Sequence, residues 1–217
     1  MSSNSQVHQP GVIFDSIFFE NLSHLQTRSD TMGVPLHKLS IAQYLAWENA
    51  QAGRSEFFRG EVFGMVGGRR GHGRVVANLM RHLGNHLDSS PCQAFSENMK
   101  VQVGDETVLY PDVFVTCDSN FSAADAVFTS PLLIIEVLSH STQRYDRSEK
   151  FAIYRKLLSL REYVLADPDT RRMEVYRPLS DGSCTFIDMS EQADLVLESI
   201  TCRIPLHCLF KGMDSDP

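Results

Sequence analysis

The sequence lacks any hydrophobic run long enough to cross a bilayer. A membrane helix needs about 18 or more consecutive apolar residues. Apolar stretches here are short, and the one at 132–138 is split by Glu136 into 132–135 and 137–138. Cysteine is sparse: five residues, at 92, 117, 184, 202 and 208, with no CxxC pair. That spacing excludes a zinc ribbon or finger. The odd count, and an N-terminus without the basic start and compact apolar core of a secretory signal, predict reduced thiols in the cytoplasm. Positive charge is also in deficit, with 20 Lys and Arg against 27 Asp and Glu and a net charge of −7. Such a balance excludes coating nucleic acid by bulk charge. Gly67, Gly68, Gly71 and Gly73 form no phosphate loop, because no GK[ST] follows. Internal repeats and low-complexity tracts are absent as well.

What is present is an ordinary globular composition. The 217 residues are 42% hydrophobic and 22% charged, enough for one domain with a real core. Residues 1–36 read as an N-terminal extension, with a polar start and an apolar patch at 12–19. Residues 37–212 read as the domain, and 213–217 as a short tail. Ser40 can cap a helix running through Ile41, Tyr44 and Trp47. Two short strands around Gly60 follow, at 56–59 and 61–65. Helical spacing then runs from His72 to Leu87 through Val75, Val76, Leu79 and Leu83. Strands are expected at 93–95, 99–103, 110–116 and 132–138, a helix at 146–158, and a hairpin of 161–167 with 171–177. Weaker strands at 184–189 and 195–197 and a turn at 205–210 complete a mixed α/β domain.

Glu136 stands out in the run Leu132-Leu133-Ile134-Ile135-Glu136-Val137-Leu138. A carboxylate in a central apolar strand is costly without a partner. It is either a strand-end Glu paired to an arginine or a ligand to a cation. Asp112 opens the preceding strand. If these strands are neighbours, the two carboxylates converge into a seat for Mg²⁺, which takes one or two carboxylates and keeps several waters. On the next helix Lys150, Tyr154 and Leu157 share a face. Lys150 either pairs with Asp146 or reaches the carboxylates. Glu61, at a strand start after Gly60, is either a third site carboxylate or a solvent-facing hairpin residue. His72 is expected to cap its helix rather than touch the site.

Local charge departs from the global balance. Residues 140–161 carry Arg144, Arg147, Lys150, Arg155, Lys156 and Arg161 against Asp146 and Glu149, a net +4. Residues 54–81 are also net +4, and 181–217 net −5. A basic surround for the candidate site follows as an expectation.

Several motifs occur in order: Arg59-Gly60-Glu61-Val62, Met99-Lys100-Val101, Tyr110-Pro111-Asp112-Val113, Ile135-Glu136-Val137-Leu138-Ser139 and Tyr145-Asp146-Arg147-Ser148-Glu149-Lys150. The set resembles the Uma-type restriction-endonuclease family, within the PD-(D/E)xK nuclease superfamily, over residues 38–211. The resemblance implies a restriction-endonuclease-like mixed β-sheet flanked by helices (α/β, or α+β). It implies Mg²⁺-dependent endonuclease action on phosphodiester bonds of nucleic acid, DNA favoured, with Mn²⁺ an alternative ion. Asp112 and Glu136 would hold the metal, Lys150 would be catalytic, and Glu61 would assist. One departure matters: the motif lysine should fall at 138, where this chain has Leu138. Lys150 is the expected replacement and Lys100 its rival. The alternative is a catalytically silent nuclease-fold nucleic-acid binder. A homo-oligomer, dimer favoured, with no membrane partner completes the expectation.

Overall fold

The structure is a computed structural model that describes residues 38–65, 67–140 and 142–213. The extension at 1–36, its apolar patch at 12–19 and most of the predicted tail lie outside those residues. Lys38–Pro217 forms one compact unit. Its first helix, α1 (Ile41–Glu48), begins at Ser40 with a full capping box, in which Ser40 and Gln43 exchange side-chain-to-backbone bonds. The hairpin β1 (Ser55–Phe58) and β2 (Glu61–Gly64) turns on Arg59-Gly60. Both turn residues have positive φ, 51° and 94°, as a two-residue hairpin turn of the inverted type demands. A side chain at 60 would also collide with Lys38.

The long helix α2 (Arg70–Leu87) buries Val75, Val76, Leu79, Leu83 and Leu87 on one stripe. Truncating fully buried Leu79 to Ala would cost about 2–5 kcal/mol. Seven strands and a helical crossover follow. They are β3 (Gln93–Ser96), β4 (Lys100–Val103), β5 (Thr107–Leu109), β6 (Val113–Thr116), β7 (Val127–Phe128), β8 (Leu133–Val137) and, after the crossover, β9 (Glu162–Asp167). After it come β10 (Arg172–Pro178), β11 (Cys184–Asp188), β12 (Asp194–Leu197), β13 (Cys202–Pro205) and, where a turn was expected at 205–210, a short helix at Leu206–Leu209. Two sheets dominate, one in the order β2-β1-β5-β4-β7 and one in the order β11-β10-β9-β8-β6-β3; β12 and β13 form a separate pair. Both sheets are mixed: β4–β7 and β8–β9 run parallel, the rest antiparallel.

Strand alternation divides the core between the two faces of the six-stranded sheet. Val113, Val115, Leu133, Ile135, Val137, Val164 and Ala166 pack toward α2. Phe114, Ile134, Tyr163 and Leu165 pack on the other face, with Val101 and Leu109 of the five-stranded sheet and Ile153 and Tyr154 of the crossover. Glu136 falls on this second face by the same period of two.

The crossover is built from α3 (Gln143–Tyr145), a π-helical turn (Asp146–Lys150) and α4 (Phe151–Tyr154). The continuous helix expected at 146–158 therefore stops four residues early. The amides of Lys156 and Leu157 bond three residues back, to Ile153 and Tyr154, which turns the chain so that Leu160 is buried and Arg161 meets the Leu132 carbonyl. The strand expected at 110–116 begins only at Val113, because Pro111 has no N–H and the Asp112 amide faces the Glu136 side chain. The hairpin partner β5 and the short strands β7 and β13 were not expected from the sequence.

The thiol expectation fails at one pair. Cys92 and Cys117 form a disulfide. The register pairs Gln93 with Thr116, so the two cysteines stand opposite each other one step beyond the β3–β6 ladder. Among the described residues Cys184, Cys202 and Cys208 are free. Reducing the protein, or replacing both Cys92 and Cys117 by Ser, should lower stability by about 2–4 kcal/mol, read as a drop in Tm with dithiothreitol. An unchanged Tm would exclude a stabilising cross-link.

Candidate active site

The ends of β6 and β8, the strand β1 and the π-helical turn converge on one pocket of about 800 Å³. The antiparallel register places Val113 against Ile135, so Asp112 and Glu136 are the next pair along. The Glu136 Oε2 accepts the Asp112 amide at 3.3 Å, and the Asp112 Oδ2 accepts the Val137 amide at 2.7 Å. The two carboxylates are thus fixed by each other's strand. Lys150 comes from the π-helical turn, and its Nζ lies 3.1 Å from Glu136 Oε1, 3.1 Å from Glu56 Oε1 and 3.6 Å from Asp146 Oδ1. The Tyr154 hydroxyl donates to the same Glu136 oxygen at 3.3 Å. A π-turn is a costly irregularity that often marks functional positions. Here Asp146 and Lys150 are both buried within it.

Geometry distinguishes the candidate lysines. Lys150 approaches the carboxylates from the crossover, while Leu138, at the motif position, is buried in the apolar core. Lys100 is committed elsewhere: its Nζ pairs with Glu48 Oε2 at 3.0 Å and lies 5.4 Å from the centre of the Tyr110 ring. Glu61 is not brought to the pocket. It pairs with Phe58 at the turn of the hairpin and is exposed. Glu56, two residues back from Phe58 on the same face, points inward instead. It accepts the Tyr110 amide at 3.2 Å and contacts Lys150. In the sequence, Glu56, between Ser55 and Phe57, is a further candidate beside Glu61, and nothing in its flanks ranks the two. Asp146 is underrated from sequence, where it reads as a helix-surface partner for Lys150.

His72 corrects a further expectation. The N-cap of α2 is Arg69, which makes no side-chain cap, and His72 Nε2 lies 3.1 Å from Asp112 Oδ2. Burial alone would push the imidazole down. The hydrogen bond and charge of Asp112, helped by Glu97 and Asp146, outweigh it and leave the pKa above 6.5. The contact then stabilises the fold fully below the unfolded pKa and loses that contribution as pH rises through the raised folded value. The Tm difference between the protein and a His72→Asn variant should therefore be largest near pH 6 and shrink at alkaline pH. A pH-independent difference would contradict an Asp112–imidazolium pair.

The charge of the pocket reverses the expectation of a basic surround. Glu56, Glu97, Asp112, Glu136, Asp146 and Glu149 line it, against Arg54, Arg69 and Lys150. Those three are all that the two basic runs bring to it, because helix and strand periods scatter the rest. Arg147 pairs with Glu174, and Arg155 donates to the Gly182 carbonyl. Burial drives the Glu136 carboxyl well above its usual range, against the pull of Lys150 and with the push of Asp112, Asp146 and Glu56. Asp146 is raised by burial in the same way. The Lys150 ammonium is held well above 10.5: burial opposes its charge, and Glu136, Glu56 and Asp146 overcome that. Four carboxylates around one lysine leave the site short of positive charge.

Comparison with known proteins gives these residues a family. The model of the Uma2 family, described as "Putative restriction endonuclease", matches residues 41–202. The chain belongs to the Uma2 family. Two proteins of Synechocystis sp. are similar to it. One, the uncharacterized protein slr1290, is 32% identical over 180 residues, covering 82% of this chain and 95% of that protein. The other, the uncharacterized protein sll1609, is 32% identical over 161 residues, covering 72% and 91%. A solved structure described as a "putative nuclease belonging to DUF820 from Anabaena variabilis" superposes with a TM-score of 0.67 at 18% identity. It covers 81% of this chain and 99% of that one. That likeness establishes the restriction-endonuclease-like fold. The Uma2 match spans β1, β6, β8 and the crossover, so every side chain around Lys150 lies within it. Among the described residues no helix is long and apolar enough to cross a membrane.

Proposed function

We propose that this Uma2 protein is a divalent-metal-dependent endonuclease that hydrolyses phosphodiester bonds of nucleic acid, DNA favoured. The observation that carries the reading is the Asp112–Glu136 pair on adjacent strands with Lys150 Nζ 3.1 Å from Glu136. Among the described residues no three His, Cys, Asp or Glu side chains group closely enough to hold an ion alone. Two carboxylates with room for water are nevertheless the donor set that Mg²⁺ favours, and Mn²⁺ accepts the same oxygens. The excess of buried carboxylates fits a cation as well.

Asp112 and Glu136 would hold the ion. When bound, Mg²⁺ supplies Lewis acidity that activates a water and polarises the phosphate. Lys150 carries a fixed positive charge for the negative charge that develops on the phosphate oxygens, and a buried setting strengthens it. Glu56 and Asp146 hold Lys150 in place, and His72 holds Asp112. The test is a cleavage assay on single- and double-stranded DNA and RNA across a Mg²⁺, Mn²⁺ and Ca²⁺ series. Metal-dependent cleavage of any substrate supports the reading. Salt-sensitive binding without cleavage in every metal would favour the silent nucleic-acid binder.

A further inference from the structure

The pocket has an unexplained aromatic wall. Phe63 is 47% exposed and Met65 38% exposed, and both line the cavity that holds the carboxylates. Strand alternation sends Val62 inward to pack with Tyr44, Phe57 and Val108, and it sends Phe63 outward. The register pairs Phe63 directly with Glu56. Cross-strand partners stand about 5 Å apart at Cβ, so the ring lies beside the carboxylate that contacts Lys150. Neighbouring Phe58 is engaged: it packs on the core and lies under Arg59. Among the described residues no other ring lies against Phe63.

The charged groups of the site are also recessed. Glu136, Asp146 and Lys150 are 2%, 3% and 7% exposed, at the floor of the cavity. A phosphodiester that reaches them enters a cavity that Phe63, Met65 and Arg69 also line. An intact duplex keeps its bases stacked inward and offers the wall only sugar and phosphate. An unpaired nucleotide offers a π face for Phe63 and lets its phosphate sink toward Asp112. A cavity of about 800 Å³ lies in the ~300–1,000 Å³ range of small-ligand pockets, which suits a nucleotide or two rather than a double helix.

Resting on the nuclease reading, we infer that Phe63, with Met65 beside it, is a stacking platform for an unpaired nucleobase, and that the substrate is single-stranded or locally unpaired nucleic acid. Arg54 and Arg69 at the rim supply the charge that tracks the backbone, and base–aromatic stacking tolerates every base. The unpaired base has two sources, a free single strand or a bulge in a duplex.

The experiment reads binding rather than cleavage, by fluorescence anisotropy in Ca²⁺ and again in EDTA. Three labelled DNA probes are used: a single strand, a duplex with a central bulge, and a perfect duplex. The parent protein should prefer the first two. Phe63→Ala should weaken them about 5- to 100-fold and leave the perfect duplex unchanged. Phe63→Trp should retain the preference, whereas Phe63→Leu, apolar but without a ring face, should lose it. Weakening by Phe63→Ala for only one of the two unpaired probes identifies the source and supports the inference. Binding of all three probes by Phe63→Ala with parental affinity, at parental Tm, overturns the platform and leaves the nuclease reading standing. A parent protein that binds none of the probes overturns the inference, and the cleavage series then decides the nuclease reading by itself.

Discussion

Asp112→Asn and Glu136→Gln should each reduce metal-dependent cleavage by about 10³-fold or more, and Glu136→Gln should leave the metal-free protein as stable as the parent or more so. The loss follows from the proposed chemistry: one ligand of a two-carboxylate site removes several kcal/mol of transition-state stabilisation, at about 1.4 kcal/mol per factor of ten. The stability side follows from the pocket. Glu136 is buried, its carboxyl is pushed above its ordinary range, and it shares Lys150 with Glu56 and Asp146. A carboxyl with a raised folded pKa binds its proton more tightly when folded. Stability from that group therefore falls as pH rises above its unfolded value. Glu136→Gln should raise Tm more at pH 8 than at pH 5. Added Mg²⁺ should raise the parent's Tm by mass action and hardly move that of either variant. Parental cleavage rates in both variants, after contaminant controls, would sink the proposed site.

Lys150→Met should do the opposite to stability. It leaves Glu56, Glu136 and Asp146 buried without their shared cation. Breaking a buried pair by deleting one partner costs about 3–5 kcal/mol, or about 6–20 °C of Tm for a domain of this size. Cleavage should be lost with it. Combining Lys150→Met with Glu136→Gln should recover part of the lost Tm, because neighbouring charges couple non-additively. Lys100→Met is the contrasting variant. It also unpairs a buried carboxylate, Glu48, so it destabilises, but cleavage per folded molecule should persist. Cleavage lost with Lys100 and kept without Lys150 would exchange the roles of the two lysines.

The six-stranded sheet was legible because its signals are local. Alternation at Val113–Thr116, the apolar run at Leu133–Val137 and the helical stripe of α2 each reflect burial on a known face. Short elements were less so. β5 and β7 have three and two residues, too few for a period to show, and pairing alone defines them. The early stop of the crossover was hidden because nothing in Arg155-Lys156-Leu157 forbids a helix; the need to bury Leu160 decides it. The disulfide was hidden because 25 residues separate its cysteines and only the β3–β6 register opposes them.

The same division runs through the site. By itself the sequence determined that a carboxylate interrupts a central apolar strand, that an aspartate opens a neighbouring one, and that no lysine occupies position 138. These are facts of residue type and spacing, and a period of two turns them into positions on a face. Only the tertiary structure decided that Glu56 rather than Glu61 joins them, that Lys150 rather than Lys100 answers their charge, and that His72 leaves the helix cap for Asp112. The first two choices are between chemically equal side chains, and the third is between two places for one imidazole. Distance and burial separate them, and both are set by strands and turns remote in the chain.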